Sequence, residues 1–359
     1  MKRLGYVVGI WCVIGLTSCA TTSAPSPSHS VSPSATQVAC WRSPLTGGCA
    51  HETSPVLIVK IDDVSGARPQ RGLNSADVVI VEPVEGGLTR LMAVFHSHDP
   101  IEVGPVRSAR ITDLDIAPAF GRPGFAYSGA TTKLRPMLSA STLQLVGDPQ
   151  GGYGYFRVPT HAAPHNLMAN TSALFSRIAD RIAARLNAQT YWKIADTQFV
   201  GSPTHQLIMK WPSSEKTFTW DPQTQTWLIR VYDTPLETQR CCPATLERAT
   251  VDSIFVMETE LQDNPIKFKS GTVTPYPRTL GEGKGWLLSS GQRLEVTWKR
   301  PTASDLPRWY LSDGSEVSIP PGRLWWLIQP FADGFEFRDL PPVEASAAAA
   351  SSSQSASTS

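Results

Sequence analysis

The stretch "DVVIVEPVEGGLTRLMAVFH", residues 77–96, decides the fold of the first half of this chain. It holds two apolar runs, 77–83 and 88–96, whose β-branched and large side chains favour strands. Between the runs, Gly86 and Gly87 permit a tight reversal, so the runs are predicted to pair as a hairpin. Upstream, "PVLIVKI" (55–61) is typical of a buried strand, and "GFAYSGA" (124–130) is a further candidate strand.

A helix is predicted downstream of these strands, over residues 170–189. Asn170 or Thr171 can cap its free amides. Apolar side chains recur every four residues and are predicted to form its buried stripe: Leu174, Ile178, Ile182 and Leu186. Three arginines run beside that stripe, either on a solvated flank or in a row that faces an anion or a lipid headgroup: Arg177, Arg181 and Arg185.

The sequence pattern changes near residue 197, where short strand-like runs begin to alternate with turn signals. One of them, "WDPQTQTW" (220–227), is typical of a hairpin turn. The predicted fold class is therefore α+β, with a mixed α/β domain at 54–193 followed by a mostly antiparallel β domain at 197–335. Nine of the eleven tryptophans lie beyond residue 190. Either core packing or a platform for sugar rings would use them.

The N-terminus has the pattern of an exported lipoprotein. Two basic residues precede an apolar run at 4–16, which ends in "LTSC" at 16–19. Small residues before a cysteine predict a signal peptide over 1–18 and acyl chains, such as palmitate, on Cys19. The expected location is the outer face of the cytoplasmic membrane, with the lipid as the contact to that membrane. Residues 19–53 are predicted to be a Ser/Pro/Thr-rich tether, and the Ala/Ser-rich tail 341–359 is predicted to be disordered.

Charge and cysteine content narrow the classes of function further. The net charge of +1 gives no indication of a nucleic-acid partner. An oxidising exterior favours disulfides among the four cysteines that remain after the signal peptide and Cys19, namely Cys40, Cys49, Cys241 and Cys242. A Cys40–Cys49 bond is the simplest pairing; a vicinal bond and cross-pairing are the alternatives. The Cys/His spacings predict no metal and no cofactor, and "HSHD" (96–99) is more typical of a polar strand end than of a metal site.

Three blocks of sequence resemble the YerB-like family of bacterial lipoproteins. They are "ARPQRGLNSADVVIVEPVEGGLTRLMAVFHS", "EVGPVRSAR" and "APHNLMANTSAL", and the segment "GWLLSSGQRLEVTWKRPTASDLPRWYLSDGSEVSIPPGRLWWLIQP" resembles the family's last part. The resemblance runs from about residue 55 to 330. It implies N- and C-terminal domains, both of unknown function, and a bacterial cell-envelope lipoprotein, but no particular reaction.

The same blocks carry polar residues that a plain core would not need. Arg90, Arg107 and Arg110 are candidate anion-binding residues, because a guanidinium group can form bidentate hydrogen bonds with a carboxylate or a phosphate. Residues 54–190 hold eleven Arg and two Lys, which fits that preference, although a bias toward Arg codons gives the same count. Internal pairing of Arg107 and Arg110 with carboxylates is the alternative. The candidate catalytic and supporting residues are Glu82, Glu85 and His165, with Ser108 and Asn166.

Three hypotheses follow for the function. The first is a tethered module that binds peptidoglycan, an anionic wall polymer or another envelope protein through the Arg/Glu/His residues. The second is a wall-active hydrolase or transferase in which Glu82 or Glu85 and His165 converge near Arg107. The third is a structural envelope lipoprotein in which Arg107 and Arg110 are fully engaged by internal carboxylates.

Overall fold

The computed structural model describes residues 40–50, 54–147, 152–186, 191–266 and 273–339. These described residues lie in one compact unit, which includes residues 40–50 of the predicted tether. The predicted signal peptide, Cys19, most of the predicted tether and the tail at 341–359 lie outside the described residues. Within the described ranges, no helix combines the length and the apolar character needed to cross a bilayer.

The first half of the described chain contains short strands and shorter helices. The helices are α1 (Thr112–Ile116), α2 (Leu134–Ala140) and α3 (Thr171–Ser176), with 3-10 turns at Ser65–Ala67, Leu73–Ser75, Glu85–Gly87 and Ala117–Phe120. The strands are β1 (Trp41–Arg42), β2 (Cys49–Ala50), β3 (Leu57–Asp62), β4 (Gln70–Arg71), β5 (Val78–Pro83), β6 (Thr89–Phe95), β7 (Glu102–Val103), β8 (Gly124–Ala126), β9 (Gln144–Leu145), β10 (Tyr155–Arg157) and β11 (Leu167–Asn170).

The second half of the described chain consists of strands and their connections. These strands are β12 (Ser202–Pro203), β13 (Gln206–Trp211), β14 (Ser214–Asp221), β15 (Thr226–Val231), β16 (Thr234–Pro235), β17 (Glu237–Arg240), β18 (Thr245–Arg248), β19 (Thr250–Val251), β20 (Ser253–Thr259), β21 (Gly281–Ser289), β22 (Gln292–Arg300), β23 (Arg308–Tyr310), β24 (Leu324–Pro330) and β25 (Gly334–Arg338).

A large sheet joins the two halves. Over the described residues it has eleven strands, in the order β12-β22-β21-β20-β24-β5-β6-β3-β8-β9, with β23 beside β22. The predicted hairpin is confirmed: β5 and β6 pair antiparallel around the turn at Glu85–Gly87, and β3 pairs antiparallel with β6. The two halves meet where β24 runs parallel to β5. The predicted domain boundary near 190–200 therefore falls between segments that share one sheet.

Both faces of the large sheet are covered. Side chains alternate along each strand, so β3 sends Leu57, Val59 and Ile61 to one face and Ile58 to the other. The first face packs against a second sheet of order β16-β15-β14-β13-β25, where Phe218 meets Trp325 edge to face at 5.8 Å. The other face lies under α1, α2 and the loops between them, which contribute a separate apolar cluster.

The predicted fold class is correct only in part. The second half is a mostly antiparallel β structure, as predicted. The first half is also mostly β: its helices span five, seven and six residues, so the expected mixed α/β domain is wrong. The parallel pairs β3–β8 and β8–β9 are joined through connections whose helices are only the short α1 and α2 and 3-10 turns, so the described residues hold no long crossover helix.

The predicted helix over 170–189 is also wrong from Arg177 to Leu186, and its residues 187–189 lie outside the described residues. Asn170 does cap its start, by accepting a hydrogen bond from the Ala173 amide at 3.0 Å. After α3, tertiary contacts use the backbone groups that a helix would have paired: the Asp180 amide and carbonyl bond to the Gln144 side chain, and the Ala184 carbonyl accepts from the Val56 amide. Ile182, predicted to be buried, is 75% exposed.

The tryptophans of the second half mostly fill the core. The rings of Trp227, Trp298, Trp309 and Trp326 are almost fully buried. Trp220 and Trp227 pair across the predicted 220–227 hairpin, which is confirmed, with ring centroids 5.4 Å apart. Packing therefore accounts for these side chains better than a sugar platform does.

Candidate functional site

Charged side chains gather at one edge of the large sheet, where β3 and β5 end and β6 begins. The register places Arg90 of β6 opposite both Asp62 of β3 and Glu82 of β5. Lys60, two residues before Asp62, points to the same face because side chains alternate along a strand. All four side chains are buried, so the chain places a cluster of charges under the loops that cover this edge.

Asp62 is the centre of this cluster, and its one carboxylate contacts two arginines and a histidine. One oxygen, Oδ1, pairs with Arg90 and accepts from the Asp63 amide at 2.9 Å. The other, Oδ2, lies 3.0 Å from Nε of Arg107 and 2.7 Å from Nδ1 of His165. Burial lowers the pKa of Arg90, and the Asp62 charge opposes that shift. Asp62 is fully buried, whereas Arg107 and His165 are 22% and 26% exposed.

The "GPVR" turn delivers Arg107 to Asp62 by running between β3 and β11. The Arg107 amide donates to the Lys60 carbonyl, and the Val106 amide donates to the Leu167 carbonyl. Gly104 has a φ of +142°, and a Cβ there would lie 3.0 Å from the Leu167 carbonyl oxygen. Only glycine fits this close approach without strain, so the glycine before Pro105 sets the path that carries Arg107 inward.

His165 reaches the same carboxylate from the loop before β11. Its amide donates to the Ala162 carbonyl at 2.9 Å, which closes a turn around Pro164. Gly66 packs against the imidazole, where even a Cβ would be in ordinary contact at 3.4 Å. Within the described part of the chain Nε2 of His165 has no hydrogen-bond partner. The Asp62 contact thus orients the ring and leaves its second nitrogen available to a ligand.

A second carboxylate, Asp63, lies on the opposite side of the sheet edge. It pairs with the fully buried Lys216 of β14 at 2.6 Å and accepts from the Thr89 hydroxyl. Arg68 donates to the Asp63 carbonyl at 2.7 Å and has its guanidinium 3.8 Å from the Asp63 carboxylate. Burial lowers the pKa of Lys216, and Asp63 opposes the shift. This group ties the large sheet to the second sheet.

Lys60 forms the innermost group, in which two carboxylates share one ammonium. Its Nζ pairs with Glu82 and lies 2.7 Å from Oδ1 of Asp113 on α1. All three side chains are fully buried. Burial lowers the pKa of Lys60 to about 8, and Asp113 opposes this shift. The other Asp113 oxygen accepts from the Arg110 amide at 2.7 Å, so this group also fixes the start of α1.

Arg110 is engaged by a different carboxylate. Its Nε and one terminal nitrogen donate to Oε2 of Glu85 at 2.9 and 2.7 Å. The other terminal nitrogen donates to the carbonyls of Ser108 and Ala109. Burial would raise the pKa of Glu85, but Arg110 and a hydrogen bond from Thr274 lower it. Arg110 is thus an internal tie between the β5–β6 turn and the "GPVRSAR" segment.

The structure brings together only part of the predicted set. Arg90, Arg107 and His165 meet at Asp62, whereas Arg110 and Glu85 pair with each other and Glu82 is enclosed beside Lys60. Neither Glu82 nor Glu85 contacts His165 in the described ranges. Among the predicted supporting residues, Ser108 offers its carbonyl to Arg110, and Asn166 accepts from Arg157 at 2.6 Å.

Sequence analysis missed Asp62, the residue that organises the site. Its signal is the "KIDD" ending of the run at 57–63: two carboxylates follow a buried strand directly, and a lysine shares a face with the first. Buried charges need partners of opposite charge, so charged residues at the end of a buried strand indicate that such partners lie nearby. Lys60 is a second signal of the same kind, because it interrupts an otherwise apolar run and therefore needs a buried carboxylate as its partner.

The four candidate cysteines form two bonds in the structure, Cys40–Cys49 and the vicinal Cys241–Cys242. In the described part of the chain, one group of metal-ligand atoms lies within 4.8 Å, on Glu102, Cys241 and Cys242. Those two sulfurs are bonded to each other, and Glu102 pairs with Arg71. The group is therefore not a free ligand set, and the absence of a metal stays a prediction.

Comparison with known proteins agrees with the resemblance seen in the sequence. Residues 45–188 match the domain described as "Protein of unknown function (DUF3048) N-terminal domain", and residues 207–326 match the C-terminal domain of the same family. The chain is 26% identical over 309 residues to "Putative lipoprotein YerB" of Bacillus subtilis (strain 168), a match that covers 81% of this chain and 87% of that protein.

The crystal structure of the YerB protein from Bacillus subtilis is similar to this structure. The TM-score is 0.67 at 21% sequence identity, and the match covers 82% of this chain and 99% of that chain. At this identity the likeness supports the fold alone. Since both family domains match, in order and over most of the folded part, the chain belongs to the YerB-like DUF3048 family.

Proposed function

We propose that this protein is a lipid-anchored, extracytoplasmic binding protein that holds an anionic ligand of the cell envelope at the Asp62 cluster. In this proposal the signal peptide at 1–18 is removed and Cys19 carries the lipid. Of the predicted tether at 19–53, the part before Cys40 joins the folded part to the outer face of the cytoplasmic membrane. The "LTSC" pattern supports this location, as does the similarity to a Bacillus protein that is named a lipoprotein.

One observation carries the binding proposal: at this edge the carboxylates are buried, and three of their basic partners reach the surface. Asp62 and Asp63 are fully buried, while Arg68, Arg107 and His165 are partly exposed. The two carboxylates have four basic partners besides His165: Arg90 and Lys216 are buried, whereas Arg68 and Arg107 are partly exposed. The Lys60 group carries the reverse imbalance but lies fully inside, so the outward-facing excess is positive.

Further basic and polar groups continue this surface. Arg157 is exposed and bonds to Asn166, the neighbour of His165. The Nε2 atom of His161 lies 3.2 Å from the Arg68 carbonyl. These contacts link the loops at 65–68 and 157–166 around Arg107. We call the exposed parts of Arg68, Arg107, Arg157, His161 and His165 the basic rim.

The basic rim favours a ligand with carboxylate or phosphate groups. Guanidinium groups bind such oxyanions with fixed geometry, and partial exposure lets them do so without losing the Asp62 contact. Outside the membrane, peptide-stem carboxylates of peptidoglycan and phosphates of wall polymers supply this chemistry. An acidic surface of another envelope protein would present the same groups.

A second candidate function rests on the Asp62–His165 contact. A buried carboxylate that holds Nδ1 of an imidazole keeps Nε2 available as a proton acceptor, the arrangement used in general-base catalysis. In a hydrolase or transferase of the cell wall, His165 would then take a proton while Arg107 holds the substrate oxyanion. Asp62 replaces Glu82 and Glu85 in this version, because those carboxylates are committed to Lys60 and Arg110.

The test incubates the chain from Cys40 onward with purified cell-wall material and measures co-sedimentation and released fragments. We expect co-sedimentation that weakens as salt is raised, since exposed charge pairs are screened. Arg107→Gln should weaken it about tenfold, the effect of losing one charge-assisted contact. Arg122→Gln is the matched control, because Arg122 is an exposed arginine paired with Asp180 away from the rim.

The outcomes separate the three hypotheses. Soluble fragments that disappear in His165→Gln would favour the enzyme. Co-sedimentation without fragments, lost in Arg107→Gln and kept in Arg122→Gln, would favour the binding protein. If the wild-type chain neither sediments nor releases fragments, and Arg107→Gln only lowers the melting temperature, the cluster is structural and the binding proposal is wrong.

A further inference from the structure

The turn between β17 and β18 carries the bonded pair Cys241–Cys242 beside an acidic side chain from the first half of the chain. Cys241 is half-buried and Cys242 is exposed. A carboxylate oxygen of Glu102 and the two sulfurs all lie within 4.8 Å of one another. No other group of metal-ligating side chains in the described ranges comes this close together. The fold brings these ligand atoms together, because Glu102 lies far from the cysteines in the sequence.

The strand β4 holds the two segments in place. On one side it pairs parallel with β17, where Gln239 lies opposite Arg71, and the Gly72 amide donates to the Gln239 carbonyl at 3.0 Å. On the other side the Arg71 amide donates to the Gly104 carbonyl at 2.7 Å, just after β7. Backbone hydrogen bonds on both sides of β4 therefore fix the hairpin relative to Glu102.

The Arg71 side chain orients the Glu102 carboxylate. Its guanidinium pairs with one carboxylate oxygen, Oε2, and the two side chains are only 15% and 22% exposed. Among the described residues the other oxygen, Oε1, has no hydrogen-bond partner. Two thiolates and this carboxylate would carry three negative charges against the one positive charge of Arg71, so a divalent cation would neutralise the group.

We propose that the reduced form of Cys241 and Cys242, together with Glu102, is a binding site for Zn²⁺. Thiolates and carboxylates are zinc ligands, and bonds of ~2.3 Å to sulfur and ~2.1 Å to oxygen place tetrahedral ligand atoms roughly 3.6–3.8 Å apart. That spacing lies within the 4.8 Å spread of this group. Since Cys242 is exposed, water supplies the fourth ligand. The site shares no side chain with the Asp62 cluster, so it does not depend on the function proposed above.

Reduction controls this site. In the disulfide form the two sulfurs are bonded to each other and offer no thiolate, which is the form of cysteine that binds metals. A dithiol reductant supplies two electrons and two protons. Its thiolate attacks the exposed Cys242 sulfur, the Cys241 sulfur leaves as a thiolate, and the second thiol of the reductant then displaces Cys242 and closes the reductant's own disulfide. The two thiols release their protons to solvent when Zn²⁺ binds.

The experiment measures Zn²⁺ bound per chain, by competition with a chromogenic chelator, on the full chain purified in detergent. The chain is used oxidised, and again after reduction with dithiothreitol and removal of that reagent without oxygen. The reference is Cys241→Ser/Cys242→Ser, which keeps every other thiol, including those of Cys40 and Cys49. We expect the reduced wild-type chain to bind one Zn²⁺ more than the reduced double variant, and the oxidised chain to lack this additional ion. Co²⁺ in place of Zn²⁺ should give a thiolate-to-cobalt absorption that the double variant lacks.

Two further variants check the contribution of the carboxylate. Glu102→Gln should weaken Zn²⁺ binding by the reduced chain at least about tenfold, because it removes a charged ligand. Glu237→Gln should leave binding unchanged, because Glu237 is an exposed carboxylate of β17 outside the ligand group. Equal Zn²⁺ content in the reduced wild-type chain and the reduced double variant would overturn the proposal. So would equal binding by the oxidised and reduced wild-type chains, or equal losses in Glu102→Gln and Glu237→Gln.

Discussion

Replacing Asp62 by asparagine tests whether one carboxylate holds the candidate site together. The change keeps the shape of the side chain and removes its charge. Arg90 is 5% exposed and pairs with Asp62, so it would become a buried cation without its counter-charge. Arg107 and His165 would lose the same partner, but both are partly exposed and water can replace it.

The expected loss follows from those exposures. Removing one member of a buried ion pair costs ~3–5 kcal/mol, because the other charge stays buried and unpaired. The lost contacts to the partly exposed Arg107 and His165 add at most ~1 kcal/mol each to this destabilisation, since solvent screens them. Because ~1 kcal/mol shifts the melting temperature of a large domain by about 2–4 °C, a total loss of ~3–7 kcal/mol in Asp62→Asn should lower it by roughly 6–28 °C.

The assay is thermal and urea unfolding of the chain from Cys40 onward. Glu282→Gln is the control, because Glu282 pairs with Lys299 at 3.3 Å and both side chains are more than half exposed. That change should cost less than ~1 kcal/mol. Adding Arg90→Met to Asp62→Asn should recover part of the loss, because it removes the unpaired buried charge.

The reasoning about Asp62 is refuted by either of two results. If Asp62→Asn costs no more than Glu282→Gln, the carboxylate does not neutralise a buried guanidinium. The second result is additivity. If Arg90→Met lowers the stability of Asp62→Asn by as much as it lowers that of the wild-type chain, the two residues are not coupled.

Two further predictions concern pH and the internal ties. Glu85→Gln should lower the free energy of unfolding by ~1–2 kcal/mol at neutral pH, because Arg110 loses a charged acceptor. The folded-state pKa of Glu85 is lowered, so the wild-type carboxylate becomes protonated only well below the ordinary pKa of ~4.3. The difference between variant and wild type in urea unfolding should vanish once the pH falls that low. A loss that persists at low pH would contradict it. The lowered pKa of His96 means that the unfolded chain binds its proton first, so stability should fall as pH drops below ~6.5. In His96→Asn the melting temperature should fall less over that range, and an unchanged slope would count against the buried neutral ring.

The part of the site that sequence analysis found depends on local chemistry. Arginines in "GPVRSAR" and the histidine in "APHNL" were identified because such residues are unusual beside glycine and proline turns. Their partners could not be assigned, because Arg107 and Arg110 are three residues apart but bond to different carboxylates, Asp62 and Glu85. The choice between those carboxylates depends on the path of the chain after Gly104, which no local pattern encodes.

The sequence by itself determined the β5–β6 hairpin, the antiparallel second half and the family, because alternating apolar runs, turn glycines and long motifs are local properties. Only the tertiary structure decided that strands from both halves share one sheet, that α3 ends at Ser176, and that Asp62 collects Arg90, Arg107 and His165. These features depend on contacts between residues far apart in the chain. Backbone groups and buried charges pair with whichever partner the packing brings near, and the distance between two residues in the sequence does not predict which partner that is.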